Sequence, residues 1–117
     1  MRGLVVRSPW VELILDGRKT WELRGAPTRI RGRIALIRKG SGTLVGHCDL
    51  VGVVGPLSRP KLLASTRRHR VEAREIPRVV GRYRKVYAWI LSNASRLKQP
   101  VHYRHPSGAV IWVNLDR

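Results

Sequence analysis

Apolar residues fall into short, sharply bounded runs along this chain. Gly3 to Arg7 encloses a β-branched aliphatic run of strand length. Ser8-Pro9 follows, a pair that opens helices because serine caps free N–H groups and proline tolerates the first turn. Val11, Ile14 and Leu15 then share one helical face, and Gly17 supplies a stop. Beyond it the period changes to two. Extended, Thr20-Trp21-Glu22-Leu23-Arg24 sends Trp21 and Leu23 to one side and Thr20, Glu22 and Arg24 to the other. Arg33 to Arg38 predicts a third strand. Lys39-Gly40-Ser41-Gly42 turns it into a long strand over Thr43 to Val54, which Gly46 and Gly52 allow to bend. Ser58 to about Arg74 predicts one basic helix opening near Pro60, and Glu75 to Lys85, with Pro77 and Gly81, reads as loop. Val86 to Leu91 is a strong strand, Leu97 to Gly108 a loop with two prolines, and Ala109 to Asn114 the closing strand.

Strand, helix, three strands, helix and two strands define an α+β, mainly β chain. Short strands with Gly and Pro turns favour a small β-barrel with peripheral helices over an open α+β sheet. The 117 residues fit one domain, expected over 1–117.

Charge changes the picture more than any other compositional property. Lys and Arg number 24 against seven Asp and Glu, a formal net charge of +17. Residues 1–39 carry ten basic and three acidic residues, and 59–85 carry ten basic residues against Glu72 and Glu75. Self-repulsion on this scale costs stability, so an anionic partner is expected; a solvated surface without one is the plain alternative. Arginine dominates, and its planar fork suits phosphates and base edges, which favours nucleic acid over a membrane. RNA is the expected partner. DNA ranks lower, because no recognition-helix motif is visible. Cys48 is alone, which excludes an intramolecular disulfide and a cysteine zinc site. No run has the length of a membrane span or a signal-peptide core, and a cytoplasmic location is expected.

Gly17-Arg18-Lys19-Thr20-Trp21-Glu22-Leu23-Arg24 carries the pattern G-x-K-x-x-E-x-R. With the Ser8-Pro9-Trp10 opening, Tyr87-Ala88-Trp89 and the stretch from His105 to Asn114, the chain resembles the ASCH domain family over nearly its whole length. Ser58 to Lys85 is the least matched part. The resemblance implies a PUA-like β-barrel with two or more peripheral helices and a cleft between barrel and helices. It also implies RNA binding linked to translation or RNA modification, with tRNA, rRNA or a modified nucleoside as ligand. Some members are enzymes, among them an N4-acetylcytidine amidohydrolase and a metal-dependent ribonuclease, so enzymatic activity stays open. A divalent metal enters only under the ribonuclease alternative; otherwise no cofactor is expected. Lys19 falls on the amidohydrolase's catalytic lysine and Arg24 on the motif arginine. That enzyme's catalytic threonine falls at Glu22, so the hydroxyl is missing; Thr20 lies two residues away, and Glu72 or Glu75 stands where a further acid is implied. Loss of the nucleophile moves the expectation from catalyst to binder.

Read from their chemistry, Lys19 is expected at the pocket rim, as a base if buried or a phosphate contact if exposed. Glu22 can accept from an exocyclic amine, or form with Arg24 an ion pair that only orients the strand. Ser8 reads first as a helix cap, and Trp10 as a stacking wall or core residue. Tyr87 and Trp89 share a strand face able to stack bases, with core packing expected for at least one. His102, Tyr103 and His105 form a loop cluster suited to RNA contact, without zinc spacing. Arg67, Arg68 and Arg70, with Arg74, Arg78, Arg82, Arg84 and Lys85, read as phosphate contacts, a solvated face being the plain alternative.

Overall fold

The computed structural model describes residues 1–116. Its strands are β1 (Arg2–Val6), β2 (Trp21–Arg24), β3 (Gly32–Arg38), β4 (Thr43–Val54), β5 (Tyr87–His102) and β6 (Trp112–Asn114). They form one six-stranded sheet in the order β2-β5-β4-β3-β1-β6. Only β1 and β3 run parallel, with Leu4 opposite Leu36; the other neighbours are antiparallel. The sheet curls into a half-barrel, a PUA-like α+β fold.

Inward residues of the curled sheet meet helix α1 (Trp10–Leu15) in one core. Leu4, Leu36, Cys48 and Leu50 are completely buried there, against Val11 and Ile14 of α1. Gly46 permits this contact, since a Cβ at that position would strike Leu15 and the carbonyl of Ser95. The Cys48 thiol is pushed up to about 12 by burial, so it is an inert core group.

A second core lies beneath α2 (Arg59–Ala64), α3 (Thr66–His69) and α4 (Ile76–Tyr83). Leu62 and Ile76 are fully buried in it, beside Trp21, Leu23 and Ala88. Each such side chain stabilises the helical layer by roughly 1.5–3 kcal/mol.

The structure revises four expected elements. The single basic helix is two, separated at the buried Ser65, whose hydroxyl donates to the Lys61 carbonyl. The expected loop 75–85 contains α4, because Pro77 occupies the first turn, where its missing N–H costs nothing. Val79, Val80 and Tyr83 pack that helix onto the second core, and their burial outweighs Gly81. β5 continues to His102 through most of the expected 97–108 loop, since Thr43 and Leu44 of β4 pair with His102 and Val101. The closing strand shortens to Trp112–Asn114, although Val5 N–H still donates to the Ile111 carbonyl.

Candidate functional site

A cleft of ≈ 1010 Å³ opens between the half-barrel and the helical layer. Its floor is built by the turn after α1. Gly17 takes φ +78°, which a side chain would resist, and the amides of Arg18 and Lys19 both donate to the Leu13 carbonyl. The chain then enters β2, whose backbone is steadied where Thr20 N–H donates to Arg68 and the Thr20 carbonyl accepts from Leu91.

This geometry folds Lys19 inward, so the lysine expected at the rim lies at the floor, only 2% exposed. Its Nζ donates to the His69 carbonyl at 2.6 Å, stands 3.5 Å from Glu22 Oε1 and lies 4.8 Å from the centre of the Trp10 ring. Burial lowers the Lys19 pKa first; Glu22 opposes that shift and Arg24 adds to it. Arg24 holds the other carboxylate oxygen, Glu22 Oε2, through Nε at 3.1 Å and Nη2 at 2.8 Å. The same Nη2 donates to the Val5 carbonyl at 2.9 Å, tying β2 to β1 across the mouth of the curled sheet. A buried carboxylate therefore sits between two cations, leaving a net positive floor.

His69 supports this floor, and nothing in its spacing signals that role. It is completely buried; Nδ1 accepts from Val71 N–H at 2.9 Å, which leaves Nε2 to donate to the Leu62 carbonyl at 2.7 Å. Burial lowers its pKa, the Leu62 bond opposes that shift, and Lys19 adds to it, so the ring is neutral. The histidine thus fixes the backbone turn whose carbonyl holds Lys19.

Other expected residues divide by place. Ser8, Trp10, Arg70, Glu72, Glu75 and Trp89 line the cleft. Ser8 is not the helix cap: α1 begins at Trp10, and the Ser8 hydroxyl donates to Glu12. Trp10 is both wall and packing residue, touching both cores. Trp89 is 3% exposed, stacked on Trp112 at 5.7 Å, and its indole N–H donates to the Ala26 carbonyl. Tyr87 packs against the sheet core outside the cleft lining, so the two aromatics present no open stacking platform. Thr20 lies outside the cleft too, beside a cavity of ≈ 200 Å³ next to Leu91 and Asn93. It does not share the Glu22 pocket, because β2 begins only at Trp21.

Arg67 and Arg68 are exposed away from the cleft, with the Arg68 guanidinium 5.4 Å from the centre of the Trp21 ring. His102, Tyr103 and His105 also stand apart from it; Tyr103 shares a 2.6 Å hydrogen bond with His105 Nδ1. Among the described residues, no group of three or more His, Cys, Asp or Glu comes together. Arg7 and Lys39 form the barrel-side bank, facing Arg70, Arg74, Arg78 and Arg82 on the helical side. Arg7 and Lys39 escaped notice in the sequence because only the curl of the sheet brings them to the cleft.

The ASCH domain model matches residues 4–101, a span that includes Lys19, Glu22 and Arg24. The chain belongs to the ASCH domain family. ASCH domains have a PUA-like fold and are generally associated with RNA binding. A crystal structure of ASCH from Zymomonas mobilis is similar at TM-score 0.73 and 16% identity, covering 86% of this chain and 72% of that one. A tyrosine-to-phenylalanine variant of the Zymomonas mobilis protein superposes at TM-score 0.72 with 18% identity, covering 86% and 74%. A serine-to-alanine variant from the same organism gives 0.70 with 16% identity, covering 96% and 85%. No curated protein matches this ASCH chain in sequence. No helix among the described residues is long and apolar enough to cross a membrane.

Proposed function

We propose that this ASCH domain binds RNA by seating one base, plain or modified, over the Lys19–Glu22–Arg24 floor. The observation that carries the reading is a buried, ion-paired floor beneath two exposed basic banks. Glu22 Oε2 is occupied by Arg24, while Oε1 retains acceptor capacity beside Lys19. An exocyclic amine, as on cytosine or adenine, complements that oxygen. Phosphates complement Arg7 and Lys39, and Arg67 and Arg68 extend the field beyond the cleft. Structured RNA of translation or RNA modification, tRNA or rRNA, in the cytoplasm is the natural setting.

Fluorescence anisotropy over a salt series, with RNA and matched DNA, tests the reading. Affinity should fall with salt at a log–log slope of about −0.7 per single-strand phosphate contacted. Glu22→Gln should change base preference, whereas Lys39→Gln should weaken all sequences alike. Equal effects of the two variants would remove the base pocket from the account, and salt-independent affinity would remove RNA.

The placement of Lys19 Nζ on the cleft floor, beside Glu22 and the Trp10 ring, supports a second reading, hydrolysis of an amide on a modified nucleoside, with Lys19 in the reaction. Incubation with N4-acetylcytidine, with and without Lys19→Ala, decides it. Absence of turnover, or full turnover in the variant, removes Lys19 as a catalyst.

A further inference from the structure

The helical bank of the cleft carries a regularity that a site for a free nucleoside does not need. A 3₁₀ turn at Ala73–Glu75 runs directly into α4. Arg74, Arg78 and Arg82 recur at every fourth residue along this continuous segment, and all three line the cleft. Within α4, Arg78 and Arg82 stand one above the other about 6 Å apart, and Arg74 precedes them in the 3₁₀ turn. Ile76, Val79, Val80 and Tyr83 anchor the segment in the second core, so its arginine row cannot rotate away.

These guanidiniums are available. The Arg74 and Arg78 side chains are 79% and 83% exposed. Their partners, Glu72 at 2.8 Å and Glu75 at 3.8 Å, are exposed as well, and solvent-screened pairs of this kind are weak and exchangeable. Arg82 lies 5.5 Å from the centre of the Tyr83 ring and has no carboxylate partner among the described residues. The ≈ 1010 Å³ of the cleft also exceeds what one base fills, being at the top of the roughly 300–1,000 Å³ range of small-molecule sites.

We propose that Arg74, Arg78 and Arg82 form a ladder for three successive phosphates of a single-stranded RNA, so that the ligand is an oligonucleotide. The inference rests on the reading that the cleft floor takes a base. A single strand can follow the helix with its phosphates spaced like the rungs while one unstacked base turns inward. A duplex keeps its bases stacked and must first break pairing to do so. A nucleoside engages no rung, and a mononucleotide engages one. Glu75, standing between the first two rungs, and Glu72, just before the first, penalise an anion placed out of step.

The test measures binding of cytidine, cytidine monophosphate, a cytidine tetranucleotide and inorganic polyphosphate to the full chain. The tetranucleotide should bind at least tenfold more tightly than the monophosphate at low salt. Replacing all three rungs (Arg74→Gln, Arg78→Gln, Arg82→Gln) should erase that difference. It should also reduce the log–log salt slope by about 2, at about 0.7 per phosphate. Monophosphate affinity should fall less than tetranucleotide affinity, because it loses one rung instead of three. Thermal melting checks the fold; should the triple variant unfold, single variants each removing about 0.7 from the slope serve instead. Equal wild-type affinity for tetranucleotide and monophosphate, or an unchanged slope without the rungs, overturns the ladder. Complete displacement by polyphosphate, with tetranucleotide affinity indifferent to Glu22→Gln, overturns it in favour of a general polyanion site. Should the ladder alone be wrong, Glu22-dependent binding persists and ignores the rungs. If the cleft reading is wrong, Glu22→Gln leaves cytidine binding unchanged as well.

Discussion

At the floor of the cleft, Lys19 and Glu22 are 2% and 6% exposed and each is held by partners in the protein. At its rim, Arg74 and Arg78 stand 79% and 83% exposed beside carboxylates that water also reaches. Both places pair cations with glutamates, yet the consequences differ. In the low-dielectric floor, an ion without its partner is costly, so the pairs define a rigid surface. In the screened rim the same pairing is nearly neutral, which leaves the arginines free to meet a ligand. Exposure, rather than residue type, separates the part that shapes the site from the part that attracts to it.

The largest break in this comparison should come from Arg24→Met. It leaves the buried Glu22 with Lys19 alone and the Val5 carbonyl without this donor, a loss of about 3–5 kcal/mol. Urea unfolding measures it, and a loss under about 1 kcal/mol would show that the floor is not a low-dielectric ion cluster. Lys19→Met should cost less, about 1–3 kcal/mol, because it strands the buried His69 carbonyl yet leaves Arg24 on Glu22. The depressed Lys19 pKa adds a sign: the folded state releases the proton first, so wild-type stability gains as pH rises through the folded value towards the unfolded value near ~10.4. The gain should vanish in Lys19→Met; an identical alkaline profile counts against it.

His69 gives a smaller effect on the acid side. Its pKa is lowered in the fold, so its contribution is intact above the unfolded value of about 6.5 and is lost as pH falls through the folded value. Melting temperature should drop between pH 7.5 and 5.5, more steeply than in His69→Gln; parallel profiles would remove His69 as the cause. The smallest stability effect belongs to the rim. Arg78→Gln should leave unfolding free energy within about 0.5 kcal/mol while weakening oligonucleotide binding in anisotropy. A destabilised variant with unchanged affinity would invert the comparison.

Much of this division was legible in the sequence. The switch from helical to alternating period after Gly17 located β2 and put Glu22 and Arg24 on one face. The charge of 59–85 announced the helical bank. Depth was not legible: Lys19 is at the floor because two consecutive amides turn back onto Leu13, a geometry set by the αL glycine and closed by His69 from far along the chain. The ladder was hidden as well, since Pro77 and Gly81 read locally as breakers. Proline is harmless in a first turn, and Gly81 is carried by neighbours whose burial depends on the second core. Tyr87 and Trp89 alternate correctly on their strand, but alternation does not say that Trp89 would be closed off by Trp112, its stacking partner from β6.

The contact from Arg24 to Val5 has a mechanical consequence. β6 pairs β1 from Arg2 to Leu4, and beyond the Val5–Ile111 main-chain bond the mouth of the sheet is fastened to β2 by a guanidinium. A fastening of that kind can be undone and remade by one torsion, without melting either strand. The same side chain lines the cleft and holds Glu22, so the seam and the floor share one residue. A change at Arg24 therefore reaches the seam and the cleft floor at once.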